Sequence, residues 1–150
     1  MGLDMYLKAQ KYASDYISPE LYSKVLDAVD TDVLTRKELP SIEVSVGVAY
    51  WRKANAIHQW FVDTCQDGTD DCRPAHVSRE QLEELLNLAK QVKADPSLAS
   101  ELLPTSSGFF FGSTEYDEYY MQDIDNTIEQ LEQVLTTTNN DWYFEYQSSW

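Results

Sequence analysis

The sequence predicts an α+β fold, a single domain over residues 1–150 with about four helices packed on a small, mainly antiparallel sheet. Three observations carry this. Alternating apolar and polar runs, the mark of half-buried strands, stand near the start and over residues 42–48, with an aromatic strand candidate at the end. Stripes at three- and four-residue steps, the mark of amphipathic helices, fill much of the remainder. The two kinds of element are grouped, without the strict strand–helix alternation of a parallel sheet. A chain of 150 residues fits one domain, and no repeat or boundary divides it.

Leu3, Met5 and Leu7 alternate with Asp4, Tyr6 and Lys8 and predict a strand over about residues 3–12. Ser18-Pro19-Glu20 supplies an N-cap, a proline at the first helical position and an early acid. Leu21, Val25, Leu26 and Val29 continue that helix, and residues 30–41 read as a loop. Ile42, Val44, Val46 and Val48 read as a strand, although the stretch up to Tyr50 also fits the start of the next helix. That helix is expected from Trp51 to Cys65, with Ala54, Ile57, Phe61 and Cys65 on one face.

Residues 66–71 form a turn by composition, and Ser78 with Gln81 makes a capping box for a helix carrying Leu82, Leu85, Leu86, Ala89 and Val92. Asp95-Pro96 stops it, and a brief helical turn to Leu102 follows. Phe109-Phe110-Phe111, bounded by Gly108 and Gly112, reads as a buried strand. Thr114 is the expected cap of a last helix whose stripe is Tyr116, Tyr120, Ile124, Ile128, Leu131 and Leu135. Residues 142–150 are expected to be the final strand.

An apolar fraction of 43%, including four Trp, ten Tyr and five Phe, is enough for a core and excludes wholesale disorder. The net charge of −15 excludes a general nucleic-acid binder, because such binding begins with neutralisation of phosphates by Lys and Arg. No apolar run approaches the roughly 20 residues of a membrane span, and the first residues lack the basic and apolar regions of a signal peptide. The charge is uneven. The last basic residue is Lys93, and residues 101–150 hold ten acids and no Lys or Arg. Either this is a solvated helix face, or it is an acidic binding surface, aimed at a basic partner or mimicking the charge of nucleic acid.

No metal or cofactor is expected. His58, Cys65, Cys72 and His76 are soft ligands, but their spacing is unlike a zinc pair, so two ordinary thiols are the simpler account. Asp63, Asp67 and Gly68 match three positions of a calcium loop whose last position, Pro74, cannot ligate. No nucleophile, base and orienting group stand in a recognisable catalytic pattern, which leans the chain away from an enzyme. Trp51, Arg52, Asn55, His58 and Trp60 form a candidate ligand site. If Arg52, Asn55 and His58 share a helical face, Arg52 supplies a fork for a nucleotide-like anion, and Trp51 or Trp60 a stacking plane. The plain alternative pairs Arg52 and Lys53 with neighbouring acids and leaves His58 at a core edge.

Residues 1–7 (MGLDMYL), 50–55 (YWRKAN), His58-x-Trp60-Phe61-Val62, Leu103-Pro104-Thr105, 108–117 (GFFFGSTEYD) and the closing Ser148-Ser149-Trp150 resemble a family of small proteins encoded by bacteriophages and prophages. The blocks cover about a third of the chain. The resemblance implies a viral source and the cytoplasm of a bacterial host, and it brings no catalytic role to carry over. Together with the acidic C-terminal third, it leads to the expectation of a non-enzymatic accessory protein. Such a protein binds, and inhibits or redirects, a host or antiphage-defence factor with a basic surface. Glu115, Glu118, Asp125, Glu129 and Glu132 are the candidate contact residues. Sequestration of a small anionic ligand is the alternative.

Overall fold

The computed structural model describes residues 2–29 and 41–150. The predicted loop over residues 30–41 lies outside the described residues except for Ser41. The fold is α+β, with a four-stranded antiparallel sheet and, among the described residues, five helices. In order these are β1 (Asp4–Ala13), α1 (Pro19–Ala28), β2 (Ile42–Arg52), α2 (Asn55–Cys65), β3 (Ala75–Val77), α3 (Arg79–Ala94), α4 (Ala99–Leu102), α5 (Glu118–Thr137) and β4 (Tyr143–Ser149). The strand order is β2-β1-β4-β3. The chain forms two compact units, Met1–Ala9 with Gly47–Trp150, and Gln10–Val46.

The larger unit holds the core. Leu3 just ahead of β1, Met5 and Leu7 within it, Ala49 and Trp51 of β2, and Phe144 and Tyr146 of β4 turn to one face of the sheet, as two-residue periodicity requires. Ile57 and Phe61 of α2, Leu82, Leu85, Ala89 and Val92 of α3, and Tyr120, Ile124, Leu131 and Val134 of α5 pack on that face. Phe61 stacks on Tyr146 with centroids 4.0 Å apart and planes within 7°. The buried Trp51 indole donates to Thr127 Oγ1 at 2.9 Å, and that hydroxyl donates to the Asp123 carbonyl at 2.7 Å. At the edge strand β2, the Gln130 carboxamide accepts from Tyr50 N and donates to Tyr50 O, as the peptide of another strand would.

In the smaller unit, Ser14 Oγ accepts from the Tyr16 and Ile17 amides, and Pro19 opens α1 after Ser18, which sits at φ 53°. Ser18 makes no side-chain cap, contrary to the sequence expectation. Gln10 donates to Glu43 at 3.2 Å.

Four other differences from the sequence reading have local causes. Strand β2 runs on to Arg52, and α2 starts at Asn55 instead of Trp51, because Lys53 takes a left-handed conformation (φ 57°) that separates the two elements. Phe109-Phe110-Phe111 is no strand: the Phe111 amide bonds to the Gly108 carbonyl, and the triplet lies in a turn with only Phe111 buried. The cap of α5 is Asp117 and not Thr114, its carboxylate accepting from the Tyr119 and Tyr120 amides at 3.0 and 3.1 Å. Strand β3, three residues paired antiparallel with β4 (Ala75 opposite Tyr146, Val77 opposite Phe144), is too short for any periodicity to reveal. The Ser78–Gln81 capping box forms as expected, with both reciprocal bonds present.

Candidate functional site

The five residues expected to form one ligand-binding face are divided between two environments. Because β2 extends to Arg52, Trp51 and Arg52 project from a strand, while Asn55, His58 and Trp60 project from α2. Trp51 and His58 are buried in the core, and Trp60 is half-buried, edge-on to Phe61 at 5.2 Å. Only Arg52 and Asn55 line a common cavity, of about 330 Å³, between the start of α2, the loop before α5 and the start of α5. Neither Arg52 nor Lys53 forms an ion pair among the described residues. Both line the cavity, opposed by Glu115, Asp117 and Asp123. Three carboxylates against two cations make this lining unfavourable to the nucleotide-like anion suggested by the sequence.

Asp123 is half-buried there, and no donor among the described residues meets its carboxylate. Burial, reinforced by the charge of Asp117, pushes its pKa up to about 6. A carboxyl whose pKa is higher folded than unfolded holds its proton more tightly in the folded state. Its contribution to stability is therefore present below about pH 4 and is lost as pH rises through about 6. Asp123→Asn is expected to be about 1 kcal/mol more stable than the wild type at pH 7, water in the cavity screening part of the effect. The gain should vanish near pH 4. Urea unfolding at the two pH values measures this, and equal gains at both would mean that the charge of Asp123 is not what matters.

Asn55, at the first position of α2, is a tie between segments. Its Nδ2 donates to the carbonyls of Phe111 (3.0 Å) and Ser113 (2.9 Å), and its Oδ1 accepts from the Ser106 amide (3.0 Å). With three of its four hydrogen-bonding positions used, it fixes the loop over residues 103–117 to α2.

His58 joins a second buried network. Its Nδ1 lies 2.7 Å from the Tyr146 hydroxyl and its Nε2 lies 2.9 Å from Asp70 Oδ2, while Asp70 Oδ1 accepts from the Trp150 indole at 3.0 Å. The order tyrosine, histidine, aspartate echoes a nucleophile, its base and an orienting acid. However, His58 and Tyr146 have no exposed surface, and burial pushes the Tyr146 hydroxyl well above its ordinary pKa, so the network holds structure. It fastens the 66–73 turn and the C-terminal Trp150 to the core. Asp70, Tyr146 and Trp150 are not legible as site residues, since Asp70 and Tyr146 meet His58 from 12 and 88 positions away and Trp150 meets Asp70 from 80. Cys65 and Cys72 are free thiols, and burial pushes Cys65 up to about 11, away from thiolate chemistry at neutral pH. Among the described residues no group of three His, Cys, Asp or Glu is placed to hold a metal ion.

The acidic candidates fall where helical geometry puts them. Glu118, Asp125, Glu129 and Glu132 are separated by seven, four and three residues along α5, so they share one face, and all four are exposed. Glu115 is exposed in the preceding loop. The cation-free C-terminal third borrows charge from α3: Lys93 pairs with Asp125 at 2.7 Å and Lys90 with Glu132 at 2.6 Å. These half-exposed pairs contribute about 0–1 kcal/mol each. Glu115, Glu118 and Glu129 form no ion pair among the described residues, although Glu115 shares a cavity with Arg52 and Lys53. No helix among the described residues is long and apolar enough to cross a membrane. No family model, curated protein or solved structure matches the chain.

Proposed function

We propose that this chain is a phage-encoded, non-enzymatic accessory protein that docks on the basic surface of a host or antiphage-defence protein and inhibits or redirects it. The observation that supports this reading is the solvent face of α5. Four carboxylates project from it, and Glu118 and Glu129 among them form no ion pair among the described residues, within a stretch that holds no base after Lys93. A single-sign surface of this kind accelerates encounter with a partner of opposite sign and is weakened by salt. The same face repels nucleic acid and anionic lipid, which makes a protein the fitting partner. The motif resemblance supports the bacterial cytoplasm as the setting.

Pull-down from bacterial host lysate with the wild-type chain and with a Glu115→Gln, Glu118→Gln, Glu129→Gln variant tests the proposal. These three positions are chosen because none is engaged in an ion pair among the described residues, so the fold is spared. A partner retained by the wild type at low salt, and lost both at high salt and with the variant, is the expected result. Equal recovery by both chains would reduce the acidic face to a solubilising one.

A further inference from the structure

The loop between α4 and α5 presents an aromatic side chain to water at a place where the fold would be served better by a polar one. The bond from the Phe111 amide to the Gly108 carbonyl closes a turn with Phe109 and Phe110 at its two corner positions. Glycine, proline, asparagine, aspartate and serine ordinarily fill such corners. Phe109 is 94% exposed, the most exposed phenylalanine among the described residues, and it leans edge-on against the half-buried Phe110 with centroids 4.7 Å apart.

The conformation is fixed by its surroundings. Phe111 folds back beneath the turn against His58 (5.1 Å) and Trp150 (6.2 Å). Gly108 is what permits this, because a Cβ there would come within 2.4 Å of the Phe111 ring. Below the tip, Asn55 holds Ser106, Phe111 and Ser113, Ser106 Oγ donates to Gln59, and the Leu3 amide reaches the Phe110 carbonyl. Thr105 Oγ1 donates to the Thr114 carbonyl and closes the base of the loop. A fifteen-residue segment without helix or strand is thereby held in one shape. Holding a contact residue in place before binding removes the ordering cost that association otherwise carries.

We infer that Phe109 is the anchor of the protein's docking surface, inserting into an apolar pocket on the partner that is rimmed by Lys or Arg. The inference rests on the proposed function and names the contact that gives it affinity. The basic rim follows from Glu115 and Asp117, which close the loop, and Glu118, which opens α5, all in the stretch of sequence without Lys or Arg after Lys93. The same charge argues against a second copy of this chain as the occupant, since each copy carries −15. Aromatic anchors of this kind dominate binding energy at protein interfaces, whereas exposed rim charges act chiefly on the rate of encounter.

The protein recovered in the pull-down is titrated with wild type, Phe109→Ala, Phe109→Leu and the triple Glu→Gln variant, following association and dissociation separately. Phe109→Ala should bind at least tenfold more weakly through faster dissociation, at low and high salt alike, with an unchanged melting temperature because the side chain lies in water. Phe109→Leu should recover most of the loss. The triple variant should lose association rate at low salt only. Wild-type affinity for Phe109→Ala overturns the anchor and leaves the acidic face standing. Wild-type behaviour of the triple variant together with a defective Phe109→Ala overturns the acidic face instead. Recovery of no partner overturns both. A Phe109-dependent dimer in light scattering, or Phe109-dependent binding to phosphatidylethanolamine–phosphatidylglycerol vesicles, would identify a different occupant and overturn the inference.

Discussion

Asn55→Ala is expected to lower the free energy of unfolding by about 3 kcal/mol and to release the loop over residues 103–117. Asn55 is 96% buried, and the truncation strands the Ser106 amide and the Phe111 and Ser113 carbonyls together. Each buried group left without a partner costs about 1–3 kcal/mol, and water admitted by a loosened loop returns part of that, so the sum stays below three full penalties. Asn55→Asp separates the contributions. It keeps the acceptor for the Ser106 amide but turns a second oxygen toward two carbonyls, so it should be no better tolerated than alanine. Urea denaturation reads the stability, and chymotrypsin reads the loop: cleavage after Phe109–Phe111 should accelerate in both variants before global unfolding does. A variant that unfolds at the wild-type urea concentration, with an uncut loop, would mean that the loop is held by something other than Asn55.

His58→Leu is expected to cost a similar amount, about 3 kcal/mol, for a different reason. The leucine fills the space but takes from the buried Tyr146 hydroxyl its bond to the imidazole, leaving only the Ser148 side chain beside it, and it detaches Asp70 and with it the Trp150 indole. Removing both ends of a buried hydrogen bond is cheaper than removing one. The His58→Leu, Tyr146→Phe double variant should therefore be less destabilised than the two single changes added together, by about 1–2 kcal/mol. A double-mutant cycle in urea measures that coupling, and simple additivity would show that the two groups do not depend on each other.

Much of the architecture was legible because it is written in local periodicity. Leu3, Met5 and Leu7 alternate as a half-buried strand must, and Leu82, Leu85, Ala89 and Val92 stand at helical steps behind a capping box whose two bonds form. The errors arose where two local signals overlap or where a decisive contact is distant. The apolar triplet at Phe109–Phe111 has the composition of a strand, yet Gly108 is required by the Phe111 ring and the chain turns there. The apparent helical face of Arg52, Asn55 and His58 dissolves because a left-handed Lys53 ends one element before the other begins. Asn55 and His58 stand out in the sequence by their hydrogen-bonding capacity, and the structure spends that capacity on holding loops to α2 and to the core. Their partners, however, lie 51 to 58 and 12 to 88 positions away, a separation that no spacing pattern encodes. The acidic face of α5 was readable in full as a pattern, whereas its partial neutralisation by Lys90 and Lys93 depends on how α3 packs against it.

The proposed steering onto a basic partner rests on Glu115, Glu118 and Glu129, which form no ion pair among the described residues. The salt dependence of the affinity for that partner tests it most directly, measured from about 50 mM to about 500 mM, a range over which the screening length shrinks from about 14 Å to about 4 Å. The wild-type chain should lose at least tenfold in affinity across the range, mostly in association rate, and the Glu115, Glu118, Glu129→Gln variant should show a distinctly flatter dependence. Affinities that stay constant with salt, or identical slopes for the two chains, would contradict it.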